Sequence, residues 1–571
     1  MSEARGNAPS ALSVNYNTQD VCHKFYELAR SGRYGELQQL SSTIHNSFNY
    51  FNHGFELQDI LPSAKKNICL PSPTEVQNLL EDYLRCFHPL FPLFHEDRLR
   101  NTFEKASHPG LCLDSGSQAC IYMVLAISYK LQQWGTPDVD LIINKSWFYF
   151  QAAMRLLPNI AITQPRLSNI QALALMSIFL RGSIHFNNAY NILGAAISHA
   201  NCLHIYGEKT SDISERRAVY ETLFSLDKEF SLQLGSPPLM KVDNPTVAQL
   251  LDDQTIYERN ASRKLFSLAQ IQERIYQTLY SPNVQQNNPE HVLRSSMNLD
   301  RELESWAEEY LTPCECCRSN TCQPCWSCLL IQLMYNNSVV LVHRLEVIHC
   351  PYTGLLSRIE PSSGLHRLLE LSARKRDEAA ASSIRLVQRL PRADRAPYWL
   401  IPSYIVESVL VLLTSITFDS DNIYTQQHIE AINSAVAVVQ SAHTQFGGEF
   451  AQMLQIVSGA AEVAKRISTE RNRSMVARRV TQVALDGAMS ELRRYSGSRS
   501  RKRRPAQLNR HRNHLDHDFL DDKSRYPLPV ASMSEEELSG GSQDLGLDFM
   551  FSEEISPADA VLDLDDFVGI L

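Results

Sequence analysis

Apolar residues recur at intervals of three and four along most of this chain, and alternating strand-like runs are scarce. The sharpest start is "PSPTEVQNLLEDYLRCFHP". Ser72 can cap the first turn, Pro73 suits the first helical position, and Glu75 three residues after Ser72 completes a capping-box pattern. Val76, Leu79, Leu80, Tyr83, Leu84 and Phe87 then fall on one face, and Pro89 stops the helix. Similar runs follow in "ACIYMVLAISYKLQQW", "WFYFQAAMRLL", "NIQALALMSIFL" and "NAYNILGAAISHANCL". Later come "CLLIQLMYNNSVVLVHRLEVI", "RDEAAASSIRLVQRL", "PSYIVESVLVLLTSI" and "HIEAINSAVAVVQSA". The pattern predicts an all-α fold, one large multi-helix domain over 72–490, with polar connections near 107–118, 282–298 and 351–366. Residues 1–71 are mixed and weakly periodic, and no fixed-period repeat occurs.

One stretch poses a chemical question. In "ERRAVYETLFSLDKEFSLQLGSPPL", Asp212 and Glu215 form a second capping-box pattern, so a helix starts near 213. Val219, Leu223, Leu226 and Phe230 make its stripe, widened by Tyr220 and Phe224. Gly235 can take the left-handed terminal position, and Pro237 and Pro238 prevent continuation. Asp227 lies beside the stripe. A buried carboxylate needs a partner, so an ion pair or a bond to a neighbouring helix terminus is expected, and no companion motif supports a catalytic role.

Composition narrows the function classes. A net charge of −9 argues against binding nucleic acid through overall charge, though not against a local basic patch. The most apolar run, Tyr404 to Ile416, is short for a bilayer and contains Glu407, so no membrane span is expected. The first twenty residues have no apolar core of the signal-peptide kind. An intracellular protein with mostly reduced cysteines is expected. Near Ser496 the character changes. "SGSRSRKRRPAQLNRHRNH" makes 491–532 a basic linker, and 533–571 carries eleven acidic residues and no Lys or Arg. Both pieces have the composition of disordered segments.

The order Glu-Arg-Arg, aromatic, Leu-Asp-Lys, Leu-Gly-Ser-Pro-Pro resembles the regulatory "middle homology" domain of fungal zinc-cluster transcription factors. "YLRCFHPLFPLFHEDRL" is similar to that family's His-Pro-Leu-Phe-Pro-hydrophobic-His segment. "AAISHANCLHIYG" resembles its Leu-Gly-Leu-His segment, and "LMYNNSVVLVHR" its Tyr-Asn…Leu-Leu-His-Arg helix. The matches run in order over about 75 to 345, with weaker similarity to about 460. Lys228 and Ser236 stand where the family usually has Arg, and Val219-Tyr220 replaces a Trp-Trp pair. The resemblance implies a helical regulatory scaffold without a catalytic role, in a regulator that often acts on metabolic or biosynthetic genes.

The family's usual DNA reader holds two zinc ions with six closely spaced cysteines. Ahead of the helical domain this chain has Cys22 and Cys69 only. Either a missed upstream exon supplies the module, or a DNA-binding partner protein does. Another cluster, "CECCRSNTCQPCWSC", has the C-x4-C-x2-C-x2-C spacing of one tetrahedral zinc in Cys317, Cys322, Cys325 and Cys328. A loop with ordinary thiols and redox chemistry are the alternatives.

No nucleophile elbow, Walker loop, dinucleotide fingerprint or H-E-x-x-H occurs, and the Asp pairs at 252–253 and 521–522 lack a third carboxylate at helical spacing. His88 and His95 read as packing or capping histidines. An enzyme is therefore not expected. The main expectation is a nuclear transcription activator that meets DNA weakly or indirectly. The alternatives are a cytoplasmic all-α interaction scaffold and an unrecognised all-α enzyme. The tail favours the regulator. Arg501, Lys502, Arg503 and Arg504 have the density that nuclear import receptors read. In "LGLDFMFSEEISPADAVLDLDDFVGIL", Phe549, Phe551, Leu562, Leu564 and Phe567, with Val568, are candidate coactivator anchors, and Asp563, Asp565 and Asp566 would steer them to a basic rim.

Overall fold

The computed structural model describes residues 68–473, apart from breaks at 109–112, 134–138, 182–185, 206–212, 241–260, 282–288, 312–325, 345–363, 390–395, 419–423, 447–449 and 452, together with positions 42, 481 and 482. Among the described residues no strand occurs. The helices are α1 (Pro73–Cys86), α2 (Glu96–Ser107), α3 (Ser115–Leu131), α4 (Val139–Met154), α5 (Leu157–Ile162), α6 (Leu167–Arg181), α7 (Phe186–Cys202) and α8 (Ile213–Leu234). After these come α9 (Ala261–Ile275) with a π turn at Tyr276–Tyr280, α10 (Pro289–Tyr310), α11 (Trp326–Val342), α12 (Gly364–Gln388), α13 (Pro402–Phe418) and α14 (Thr425–Phe446). Residues 453–473 are a further helical run.

Two helices lie at the centre. From Ala119 to Leu131 in α3 and from Asn169 to Arg181 in α6, every residue is buried. A helix apolar all round needs neighbours all round. α3 packs on α1, α4 and α6, and α6 packs on α7. The close approach of α3 to α6 is visible at Gly116, where an added Cβ would lie 2.3 Å from Asn169 Oδ1 and 2.9 Å from the Asn169 backbone nitrogen. Asp114 caps α3 by accepting from the Ser117 amide (3.1 Å), and it also accepts from Ser168 Oγ at 3.0 Å, beside the first turn of α6. The later helices form a second set, with α12 packed on α11, α13 and α14.

The first helix follows its sequence signal with one change. The Glu75 amide donates to Ser72 Oγ at 3.3 Å, but the Glu75 carboxylate turns to Tyr129 Oη (2.6 Å) and Lys145 Nζ (2.9 Å). Tertiary partners have taken the carboxylate from the cap. The expected connection at 282–298 is also corrected, since α10 begins at Pro289. α2, α9 and α10 are amphipathic helices with a charged outer face, and their weak mean hydropathy hid them among the stronger runs.

Residues Tyr398–Thr417 make one run long and apolar enough to cross a membrane by length and composition. It is longer than the apolar stretch Tyr404 to Ile416 because Tyr398–Ile401 precede Pro402 in the same run. About two thirds of the run is buried inside the protein (67%). Its apolar area is therefore taken up by the helical core, with Trp399 near-parallel to Phe87 at 6.3 Å between centroids.

Candidate functional site

The polar groups that the sequence singled out converge on the ends of α8. At its start, Glu215 is buried and accepts three hydrogen bonds. The His95 amide and Gln171 Nε2 both donate to Oε1 at 3.0 Å, and Arg98 donates to Oε2 at 2.8 Å. Gln171 also donates to the Leu93 carbonyl at 2.6 Å. Glu215 therefore fastens the "HPLFPLFHEDR" segment to α8 and α6; Asp212, the other member of the expected capping box, lies outside the described residues. His88 closes the same segment, its ring nitrogen 2.8 Å from the Phe94 carbonyl. Burial draws the His88 imidazole below its ordinary pKa, which favours the neutral ring. The His95 amide makes a structural contact. Neither histidine is set up as a catalytic base.

At the far end of α8, Asp227 and Lys228 are both fully enclosed. Asp227 Oδ1 accepts from the Leu239 amide at 2.9 Å. Its Oδ2 accepts from the Met240 amide at 2.9 Å and from Lys228 Nζ at 3.0 Å. Lys228 also donates to the Met240 carbonyl, lies 3.7 Å from Glu273 Oε1 and sits over the Phe224 ring at 4.6 Å. Gly235, with φ 63°, turns the chain back so that Leu239 and Met240 can reach the carboxylate. Asp227 is thus the anchor of the Gly-Ser-Pro-Pro reversal. Both of its oxygens are engaged by internal donors, as expected for a scaffold group.

Just past Asp227 and Lys228, Glu229 belongs to a network that the sequence did not reveal. Arg181 Nη2 donates to Glu229 and to Tyr404 Oη (2.5 Å), and Tyr404 Oη donates to Glu229 Oε1 at 2.5 Å. Burial pushes the Tyr404 phenol well above its ordinary pKa, so it remains a neutral donor. The signal that could have found it is Arg181 itself, a charge closing an otherwise apolar run. Lys130 gives the same signal in α3. Its buried ammonium lies 4.3 Å from the Phe179 centroid, 5.8 Å from Trp147 and 5.6 Å from Trp399. Farther along, Asp300 Oδ1 meets His343 Nε2 at 3.0 Å, its Oδ2 pairs with Lys375, and Arg344 pairs with Glu407 at 3.0 Å.

A groove of about 590 Å³ opens along α1, lined by Glu75, Glu81, Asp82, Arg85 and Gln132 among others. Its acids are committed to partners. Glu81 pairs with Arg100 at 2.6 Å, and Asp82 with Arg85 at 3.0 Å and Gln132 at 2.8 Å. The Tyr129 hydrogen bond holds the Glu75 carboxyl below its usual range, and Arg100 does the same for Glu81. A general acid at neutral pH needs the opposite shift.

Of the proposed zinc ligands, Cys328 lies in the first turn of α11 and is half-buried, while Cys317, Cys322 and Cys325 lie outside the described residues. Arg501, Lys502, Arg503, Arg504, Phe549, Phe551, Leu562, Leu564 and Phe567 also lie outside them. Among the described residues no three His, Cys, Asp or Glu side chains group as metal ligands. The six-thiolate module of zinc-cluster proteins does not fit the donors present there.

The model of the fungal specific transcription factor domain matches residues 80–308. Residues 80–308 are a fungal specific transcription factor domain. The Glu215 hub, the Asp227 anchor and Arg181 all fall inside the fungal specific transcription factor domain, whereas Trp399 and Tyr404, which complete its core, lie beyond its matched end. Similar proteins are transcription factors of fungi. An "ABC-transporter-regulating transcription factor" of Aspergillus oryzae is 27% identical over 69% of this chain and 48% of its own length. Its counterpart in Aspergillus fumigatus is 26% identical over 69% and 47%. The "Fusaridione A cluster transcription factor" of Fusarium heterosporum is 21% identical over 68% and 76%. The chain spans about half the length of the two Aspergillus relatives.

Proposed function

We propose that this chain is a nuclear transcription regulator of fungal type, acting as an activator. The observation that carries the reading is the fungal specific transcription factor domain at residues 80–308. The core geometry is consistent with it, because the buried acids described around α8 serve internal bonds and leave a scaffold for regulation rather than chemistry. The basic run at 499–504 supports nuclear import, and the acidic, aromatic-studded 533–571 supports recruitment of a coactivator. The relatives' names point to transporter or biosynthetic-cluster genes as the class of target.

DNA targeting then comes from a zinc-cluster module outside the given sequence or from a DNA-binding partner. On its own, the chain binds DNA weakly, without sequence preference and with strong salt dependence, through 493–512. Cys317, Cys322, Cys325 and Cys328 are a candidate structural zinc set, to be checked by metal analysis of the purified protein.

The decisive experiment tethers the full chain to an unrelated DNA-binding domain beside a reporter gene. Transcription above the level of the DNA-binding domain alone is expected. A well-expressed, nuclear fusion that leaves the reporter at that level refutes the activator reading.

A further inference from the structure

The last described helical run changes character along its length. Its inner face is core, with Ile456, Val457, Ala460, Ala464 and Ile467 buried, and Arg471 donating to the Thr417 carbonyl at 3.2 Å. That bond ties the end of the run to α13. Outward, Lys465, Arg466 and Arg473 are exposed. Arg466 and Arg473 are seven residues apart, two helical turns, and so share a face. Glu462 and Glu470 are also exposed nearby and soften the local field.

The sequence continues the basic trend. From Lys465 to Arg504 there are thirteen Lys and Arg against three Asp and Glu, a surplus of ten in a chain whose net charge is −9. Complementing a helix dipole requires one or two cations in the final turn. A surplus of this size, starting on a rigid surface and continuing into the candidate import signal, exceeds that need. Such a concentration of positive charge inside an acidic chain attracts a polyanion.

We propose that Lys465, Arg466 and Arg473 form a phosphate-contacting ridge, by which the folded domain itself grips the DNA backbone. The ridge positions and does not read sequence, because Lys and Arg contacts to phosphate carry no base information. It rests on the transcription-regulator reading, and it supplies a fixed point on the domain for DNA that another module selects.

The test uses the full chain and a short random-sequence DNA duplex, with affinity measured by fluorescence anisotropy between about 50 and 200 mM salt. Each phosphate contact contributes about 0.9 to the slope of log affinity against log salt. The triple variant Lys465→Gln, Arg466→Gln, Arg473→Gln should lower that slope by about 2 to 3. Arg85→Gln with Arg294→Gln, exposed cations elsewhere, should leave it unchanged. Circular dichroism and melting of the triple variant should match the parent, since the three side chains are exposed. An unchanged slope in a folded triple variant overturns the proposal. So does unchanged DNA binding combined with lost capture by a nuclear import receptor, which would assign the ridge to an acidic protein groove. The tethered reporter does not depend on the ridge, so its outcome judges the regulator reading separately.

Discussion

Tyr404 donates a 2.5 Å hydrogen bond to Glu229 across 175 positions of sequence. Arg181 donates to the same pair, so α6, α8 and α13 meet at one buried charge. Replacing Tyr404 by Phe should cost about 2 kcal/mol, the value of a hydrogen bond to a charged group. Glu229→Ala should cost more, about 3–5 kcal/mol, because it leaves Arg181 buried without its carboxylate. Urea denaturation of both variants checks this. If both unfold at the parental midpoint, the network does not hold the three helices together.

Asp227 should behave as an anchor. Asp227→Ala strands two backbone amides and Lys228 in the interior and should destabilise by about 3–5 kcal/mol. Asp227→Asn keeps one acceptor oxygen and should lie between the two. The local readout is limited proteolysis at the Gly235–Leu239 reversal, which should become faster in the order parent, Asn, Ala. Cleavage there at equal rates in all three would contradict the anchor.

Two carboxyls, buried Asp300 and half-buried Glu407, should tilt the pH profile in opposite directions. Burial raises Asp300, but bonding to His343 and Lys375 outweighs it and leaves the carboxyl below its usual range. Its contribution is present above the unfolded pKa of about 3.9 and is lost as pH falls through the lower folded value. Burial dominates at Glu407 and raises it despite Arg344. That contribution is present below the unfolded pKa of about 4.3 and is lost as pH rises through the higher folded value. Melting temperature against pH should therefore lose part of its acid limb in Asp300→Asn. Glu407→Gln should flatten the profile on the other side of the unfolded value. Parallel profiles for parent and variants would refute the assignment.

Import should depend on 501–504. Changing Arg501, Lys502, Arg503 and Arg504 to Ala in a fluorescent fusion should move the protein toward the cytoplasm. Nuclear accumulation that does not change, or a parent that is never nuclear, rejects this signal.

The acidic tail should activate by folding transiently on a partner, since its apolar area is too small to offset its ordering entropy alone. Residues 533–571 fused to an unrelated DNA-binding domain should drive a reporter. Changing Phe549, Phe551, Leu562, Leu564 and Phe567 to Ala should abolish the signal. Single Asp→Asn changes at Asp563, Asp565 or Asp566 should only weaken it, because steering charges act additively at long range. A nuclear but silent parental fusion would rule out this segment as the activator.

The sequence by itself determined the helices whose signals are local. Ser72, Pro73 and Glu75 placed the start of α1, Gly235 and the prolines placed the end of α8, and unbroken apolar runs marked α3 and α6 as interior. It also determined that Asp227 had to be partnered, because the cost of burying a lone carboxylate does not depend on the fold. What only the tertiary structure decided is who the partners are. Glu75 had a local alternative in a capping box and took Tyr129 and Lys145 instead, and Glu215 took Arg98, His95 and Gln171. Arg181 and Lys130 were legible as charges in apolar runs, but Tyr404 and Trp399 lie more than two hundred residues away from them. Periodicity reports which face of a helix is buried. Which other face it meets depends on how the whole set of helices packs, and that is set by contacts far apart in the chain.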